Sequence, residues 1–246
     1  MHTLALDIGN TAVKVGCFDG AVLRETATGL TGTQVLELVR RWQPRHVIVS
    51  SVAEDAALRV EELREWVPGE IVPFSPAATA VPLRNAYATP ATLGADRLAA
   101  AVGAAYLRPS QATLIIDAGT ALKFDLVTAD GTYHGGSIGP GLGLRLRALH
   151  TFTGRLPLLA LPPPDATIPL VGDSTTNSIL SGVVNGAVAE IEGMLRQYRV
   201  RHSGLAVLLT GGDAPFLAAR LPACIFVVPE LVLLGLNRIL AYHVDE

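Results

Sequence analysis

Short apolar runs, broken by Gly-Asn and Asp-Gly pairs, open the chain in the pattern of a strand meander. Residues 3–8 and 12–18 predict two strands around a tight Gly9-Asn10 turn, and Asp19-Gly20 leads into a third strand over 21–25. The period then lengthens. Val35, Leu38 and Val39 share one face of a helix over 33–42, and Leu58, Leu63 and Trp66 share one face of a helix over 55–66. Short apolar strands at 46–51 and 71–74 alternate with these helices. Residues 76–90 show no period, and a helix over 92–107 follows until Pro109 stops it.

The opening pattern then returns. Strands are predicted at 113–117, 121–127 and 132–135, with turns at Gly119 and Asp130-Gly131. Residues 6–14, Leu-Asp-Ile-Gly-Asn-Thr-Ala-Val-Lys, reappear at 116–123 as Ile-Asp-Ala-Gly-Thr-Ala-Leu-Lys, one residue shorter, and both copies run through a strand into an Asp-Gly turn. Beyond the repeat, the glycine-rich run 135–141 reads as a close-approach loop entering a helix over 142–151, and the proline-rich stretch 156–169 reads as a loop. Asp173 or Ser174 caps a long helix with Ile179, Val183, Val184, Ala187, Ile191 and Leu195 in one stripe. A strand at 205–209, a helix at 214–221, a strand at 224–228 and a helix starting at Pro229 complete the chain. A duplicated β-β-β-(αβ) unit predicts an α/β fold of two similar domains, 1–112 and 113–246, facing each other across a cleft.

Composition narrows the function classes. With 246 residues, half of them apolar, 24 Gly and 16 Pro, the chain is globular and rich in turns. A net charge of −3, and no basic run longer than Arg40-Arg41, argue against a nucleic-acid partner. The longest apolar stretch, 223–236, is split by Pro229 and Glu230, so no membrane span is expected, and no signal peptide is visible. Cys17 and Cys224 have no metal-ligand spacing. They read as small packed apolar groups in a reducing, cytoplasmic setting.

The repeated turns carry the first chemistry. Phosphates need clustered backbone N–H donors, close approach without a Cβ, and hydroxyl or lysine groups nearby. Gly9, Asn10, Thr11 and Lys14 offer these in the first turn, and Gly119 and Thr120 in the second. Asp7 and Asp117 each end a strand, where a carboxylate holds a cation or its water shell. Either turn alone also fits an ordinary hairpin. Their repetition points to phosphoryl transfer. The second feature is Gly94-Ala95-Asp96-Arg97 at a helix start. Asp96 is placed to accept a hydroxyl proton and Arg97 to fork onto a carboxylate. The same pair also fits simple helix-start electrostatics.

The paired turns resemble the phosphate motifs of the acetate kinase, sugar kinase, Hsp70 and actin superfamily, whose ribonuclease H-like (actin-like ATPase) domains clamp ATP. The ordered set Asp7–Thr11, Gly94–Arg97, Asp117–Thr120 and Gly135–Gly141 resembles type III pantothenate kinase over nearly the whole chain. That resemblance implies ATP-dependent phosphorylation of pantothenate to 4′-phosphopantothenate, the first step of coenzyme A biosynthesis, by a homodimer using Mg2+ and a monovalent cation, K+ or NH4+. It gives the nucleotide phosphates to Asp7, Gly9, Asn10, Thr11 and Lys14, with Asp7 near magnesium, and a further ATP contact to Thr120. Asp96 becomes the general base. Tyr87, Gly94, Ala95 and Arg97 line the pantothenate site, with Thr175 reaching the partner's site. Asp117 becomes the ligand of the monovalent cation.

The chain departs from the pattern in places. Ser174 and Ser178 replace the family's usual Asn and Ala, Thr176 competes with Thr175, and Lys123 stands where a small polar residue is common, facing solvent or altering the phosphate contacts. Thr210-Gly211-Gly212-Asp213 falls where the superfamily places adenosine contacts. The alternatives are another small-molecule kinase of the superfamily or a non-catalytic regulatory homologue. Asp96-Arg97 ahead of the second turn argues against the former. The presence of Lys14, Asp96 and Asp117 argues against the latter.

Overall fold

The N-terminal meander forms where the pattern predicts it. In the computed structural model, which describes residues 1–9, 12–51, 56–222 and 225–244 (backbone only for 56–59), β1 (His2–Ile8) and β2 (Val13–Asp19) pair antiparallel with Asp7 opposite Lys14. β3 (Val22–Thr28) continues the meander, and its alternating exposure marks it as an edge strand. α1 (Gly32–Trp42) starts at a capping box in which Thr31 and Gln34 satisfy each other's backbone N–H groups. β4 (His46–Ser51) runs parallel to β1, and after α2 (Ala56–Arg64) β5 (Ile71–Pro73) runs parallel to β4. The sheet order is β3-β2-β1-β4-β5. Leu4, Leu6, Val15, Cys17, Val35 and Val39 are among the side chains that fill the core between this sheet and its helices.

Cys17 behaves as the sequence suggests: burial, aided by the nearby Glu25 charge, pushes its thiol up to about 12. It is expected to resist iodoacetamide at pH 8 in the folded protein. Stoichiometric labelling without unfolding, read by mass spectrometry, would contradict that packing. Cys224 lies outside the described residues.

The next helix starts later than its periodicity suggests. β6 (Arg84–Asn85) is followed by a single 3₁₀ turn at Pro90–Thr92, then by Leu93 in an extended conformation, and α3 (Ala95–Leu107) begins only after Gly94. Pro90 favours the tight turn but leaves the chain too extended at Leu93 to continue helically.

β7 (Thr113–Ala118), β8 (Ala121–Val127) and β9 (Thr132–Pro140) repeat the meander. Here β9 extends through most of the glycine run expected as a loop. A Cβ on Gly136 would lie 1.6 Å from the Phe124 carbonyl oxygen, so the glycines serve close approach between neighbouring strands. α4 (Leu142–Thr151) follows. The long striped helix is real but interrupted: α5 (Thr175–Leu180) passes through a π turn at Ser181–Asn185 into α6 (Gly186–Arg201). β10 (Ala206–Thr210), α7 (Ala214–Ala218), β11 (Phe226–Val227) and α8 (Leu231–Val244) complete the described elements. The order β9-β8-β7-β10-β11 matches β3-β2-β1-β4-β5 strand for strand, and β10 lies parallel to β7 as β4 does to β1. The repeat read from residue types is thus a repeat of topology, two ribonuclease H-like sheets.

By packing, the chain forms two compact units. One comprises residues 1–110, 127–134 and 230–246, and the other residues 111–126 and 135–229. In the first, α8 packs along α3 and beside β1 and β4. Asn237 of α8 ties it further, accepting from the Thr3 hydroxyl at 2.6 Å and donating to the Gly20 carbonyl at 2.9 Å. In the second, Leu114, Ile116, Phe124, Val184, Ile191 and Leu209 lie in the core. No helix among the described residues is long and apolar enough to cross a membrane.

Candidate functional site

The two repeated turns close in the same way. Gly9 donates its N–H to the Ala12 carbonyl at 3.2 Å, and Gly119 donates to the Ala121 carbonyl at 3.1 Å. In both copies an apolar strand carries its Asp, half-buried, to the strand end, and the returning strand brings a lysine. In the first unit Lys14 is the register partner of Asp7 across β1 and β2. Asn10 and Thr11 lie outside the described residues. In the second unit Lys123 Nζ sits 2.7 Å from Asp117 Oδ2, with the two side chains only 14% and 16% exposed. The choice between solvent and site for Lys123 is therefore settled: it is packed inward as the partner of Asp117. Asp117, expected to ligate a free monovalent cation, has a cation supplied by its own chain.

Two further glycine segments meet the second turn. Gly211 has φ +95°, and a Cβ there would lie 2.3 Å from the Ala118 carbonyl oxygen and 2.6 Å from Asp117 Oδ1. Asp213 donates its backbone N–H to the same Ala118 carbonyl at 2.8 Å. On the other side Gly141 donates its N–H to the Thr120 carbonyl at 3.1 Å, and a Cβ on it would lie 2.0 Å from the Gly119 carbonyl oxygen. Ala118, Gly119, Pro140, Gly141, Leu142 and Asp213 line a small hollow. Burial raises the Asp213 carboxyl above the ordinary aspartate value. A folded-state pKa raised above the unfolded one means that the native state holds the proton more tightly, so this group's contribution to stability falls as pH rises through the carboxylate range. Asp213→Asn is therefore expected to raise the melting temperature at pH 7 relative to pH 4; an unchanged pH dependence of melting would refute it. Arg145 fixes the end of β9, pairing with Glu190 and donating through Nε to the Pro140 carbonyl at 2.8 Å.

The Asp96 group belongs to the first unit. Gly94 is the N-cap of α3, and a Cβ there would lie 2.6 Å from Asp96 Oδ1, so a side chain at this position would push the Asp96 carboxylate out of place. Asp96 Oδ1 accepts the Arg97 backbone N–H at 2.9 Å, which holds the half-buried carboxylate at the positive end of the helix. Arg97 is not a solvated helix-start charge. It is 5% exposed, its guanidinium lies 5.4 Å over the Tyr87 ring, and its Nη1 donates to the Tyr87 hydroxyl at 3.5 Å. Tyr87 in turn stacks on the buried Tyr133, with ring centroids 6.2 Å apart, and donates its backbone N–H to Asn85 Oδ1 at 3.0 Å. Sequence reading reached Tyr87, Asp96 and Arg97 but not Tyr133. The only signal for Tyr133 was an aromatic residue in the third strand of the repeat.

Thr175 and Thr176 both open α5 in the second unit, exposed, after the Ser174 cap that accepts the Asn177 N–H at 3.2 Å. Both are exposed, and both are available to a ligand. Among the described residues there is no cluster of three or more His, Cys, Asp or Glu side chains able to enclose a metal. A hydrated divalent ion held by one or two carboxylates and the substrate's phosphates needs no such cluster.

Comparison with known proteins gives these features a family. A family model described as type III pantothenate kinase matches residues 3–197. The type III pantothenate kinase of Cytophaga hutchinsonii is 42% identical over 241 residues, covering 98% of this chain and 99% of its own. Among solved structures, a protein described as a Baf family transcriptional activator from Campylobacter jejuni superposes with a TM-score of 0.60 at 18% identity, covering 98% of each chain. The ROK hexokinase of Thermus thermophilus superposes at 0.52 and 15% identity, covering 99% of this chain and all of its own. These two likenesses are of fold.

Proposed function

The chain belongs to the type III pantothenate kinase family, and from that premise we propose how its residues share the work. The reaction is ATP-dependent phosphorylation of pantothenate to 4′-phosphopantothenate, the entry to coenzyme A biosynthesis. Phosphoryl transfer asks the protein mainly for positioning and charge, with one group to take the hydroxyl proton. Asp96 takes it. As the 4′-oxygen attacks the γ-phosphorus and ADP leaves, the proton passes to the Asp96 carboxylate. Arg97 grips the pantothenate carboxylate, with Tyr87, Gly94 and Ala95 beside it. The observation that carries this reading is the burial of Arg97 on Tyr87 next to a half-buried Asp96. A guanidinium desolvated and oriented in this way binds a planar anion bidentately.

In the same unit the Asp7 turn, with Gly9, Asn10, Thr11 and Lys14, binds the nucleotide phosphates. The half-buried Asp7 carboxylate at the end of β1 suits a hydrated Mg2+, which would neutralise charge on the phosphate oxygens. In the second unit Thr120 contacts ATP, and the 210–213 loop, seated on the second turn, is its adenosine contact. We assign the duplicated domains to 1–112 and 113–246, the points at which the repeat begins. A homodimer, with Thr175 serving the partner's site, is supported by the exposed apolar side chains of Ile138, Phe152, Leu158, Leu170 and Val171 in the second unit. The cytoplasm is the compartment in which ATP is available to this reaction.

Purified protein incubated with ATP, Mg2+, K+ and pantothenate should yield 4′-phosphopantothenate by mass spectrometry; no product would sink the assignment. Arg97→Lys is expected to raise KM for pantothenate by roughly 10- to 100-fold with a smaller change in kcat, because a point charge replaces a fork. An unchanged KM would remove Arg97 from the substrate site.

A further inference from the structure

A cation bound at Asp117 would need a carboxylate oxygen that is open and not already neutralised. The second condition is not met, because the carboxylate already faces a cation of its own chain. Oδ2 is taken by the Lys123 ammonium at 2.7 Å, within the range of a charge-assisted hydrogen bond. Oδ1 lies beside the backbone at Gly211, where a Cβ would be 2.6 Å away, so only a glycine leaves that side of the carboxylate uncrowded. Both charged side chains are largely shielded from water, so solvent does not compete for the pair and a second positive charge beside it would be poorly screened. The lysine is also placed by the fold. It comes from β8, the strand that returns from the turn, as Lys14 returns on β2 opposite Asp7 in the first copy. A free monovalent ion does not fit this Asp117.

We propose that Lys123 is a built-in monovalent cation. Its ammonium performs at the second turn the electrostatic task that the family resemblance gives to bound K+ or NH4+, holding Asp117 neutralised and the Gly119-Thr120 turn in place, and catalysis by this chain is independent of added monovalent cations. The inference rests on the kinase reading above, and Lys123 is a positioning residue that acts through Asp117 and the turn.

The test uses the full-length protein in tetramethylammonium chloride, with KCl or NH4Cl substituted at equal ionic strength. Wild-type kcat is expected to stay within about twofold across the three salts. Activation by K+ or NH4+ well beyond that overturns the proposal. Lys123→Ala, which vacates the ammonium, should lose activity in tetramethylammonium chloride and regain it in NH4Cl or KCl; loss that neither ion restores overturns it. Melting temperature supplies a reading independent of turnover. It should rise with K+ or NH4+ concentration in Lys123→Ala and not in the wild type, because an ion that binds only the folded state stabilises it by mass action. Lys123→Gln gives the same comparison if the alanine variant does not fold. A wild type that makes no product in any salt refutes the kinase reading, while the melting comparison still decides the role of Lys123.

Discussion

Replacing Asp96 by Asn is expected to lower kcat by roughly 10²–10⁴-fold while the protein folds normally. The amide keeps the shape of the carboxylate and can still accept the Arg97 N–H at the helix start, so α3 keeps its first turn. What it loses is the ability to take a proton from the attacking hydroxyl. KM for pantothenate should change little, since the proposed arrangement gives the substrate's carboxylate end to Arg97 and Tyr87. Steady-state kinetics with a matched melting curve checks this. A kcat within a few-fold of wild type would move the base elsewhere, and a collapsed melting temperature would recast Asp96 as a structural cap.

Gly235→Ala is expected to be the most damaging small substitution in the first unit. α3 and α8 approach so closely that a Cβ on Gly235 would lie 1.8 Å from the Ala99 carbonyl oxygen, and one on Gly103 would lie 2.5 Å from the Leu231 carbonyl oxygen. The clash is with backbone, so no side-chain rotation relieves it and the helices must separate. Overpacking of this kind costs about 3 kcal/mol, which for a chain of this size is a fall of roughly 6–12 °C in melting temperature. Because Asp96 and Arg97 sit on the first turn of α3, kcat should fall as well, below the melting range. Gly193→Ala, at a helix position where the nearest atom to an added Cβ is the end of the Arg196 side chain at 3.8 Å, is the control and should stabilise by up to about 1 kcal/mol. Equal melting temperatures for the two variants would mean that the helices are not in the close contact described.

Much of the candidate site was legible because its signals are local. A turn that needs a glycine, a strand that ends in an aspartate and a helix start carrying Asp-Arg are each written in consecutive residues. Their repetition at 7–14 and 117–123 made the duplication readable before any coordinates, and the matching strand orders of the two sheets bear it out. Boundaries were less legible where two local preferences compete. The start of α3 moved from 92 to 95 because Pro90 favours a tight turn over a helix. The run Gly135–Gly141 was read as a loop because glycine is the residue of loops, yet most of it lies in β9, where glycine serves the neighbouring backbone.

By itself the sequence determined the alternation of elements, the repeat and the family. These follow from periodicity and from motifs a few residues long. Only the tertiary structure decided where the long charged side chains go. From sequence Lys123 was undecided between solvent and the phosphates, and Arg97 between a substrate carboxylate and a solvated helix start, because a long flexible stem says nothing about direction. The return of β8 beside β7 brought Lys123 to Asp117, and Arg97 is buried with its guanidinium over Tyr87, which stacks on Tyr133. The two Asp-Gly turns, nearly alike as sequence, also close alike in space. In the second, the residue that a local reading left undecided is the ion-pair partner of Asp117.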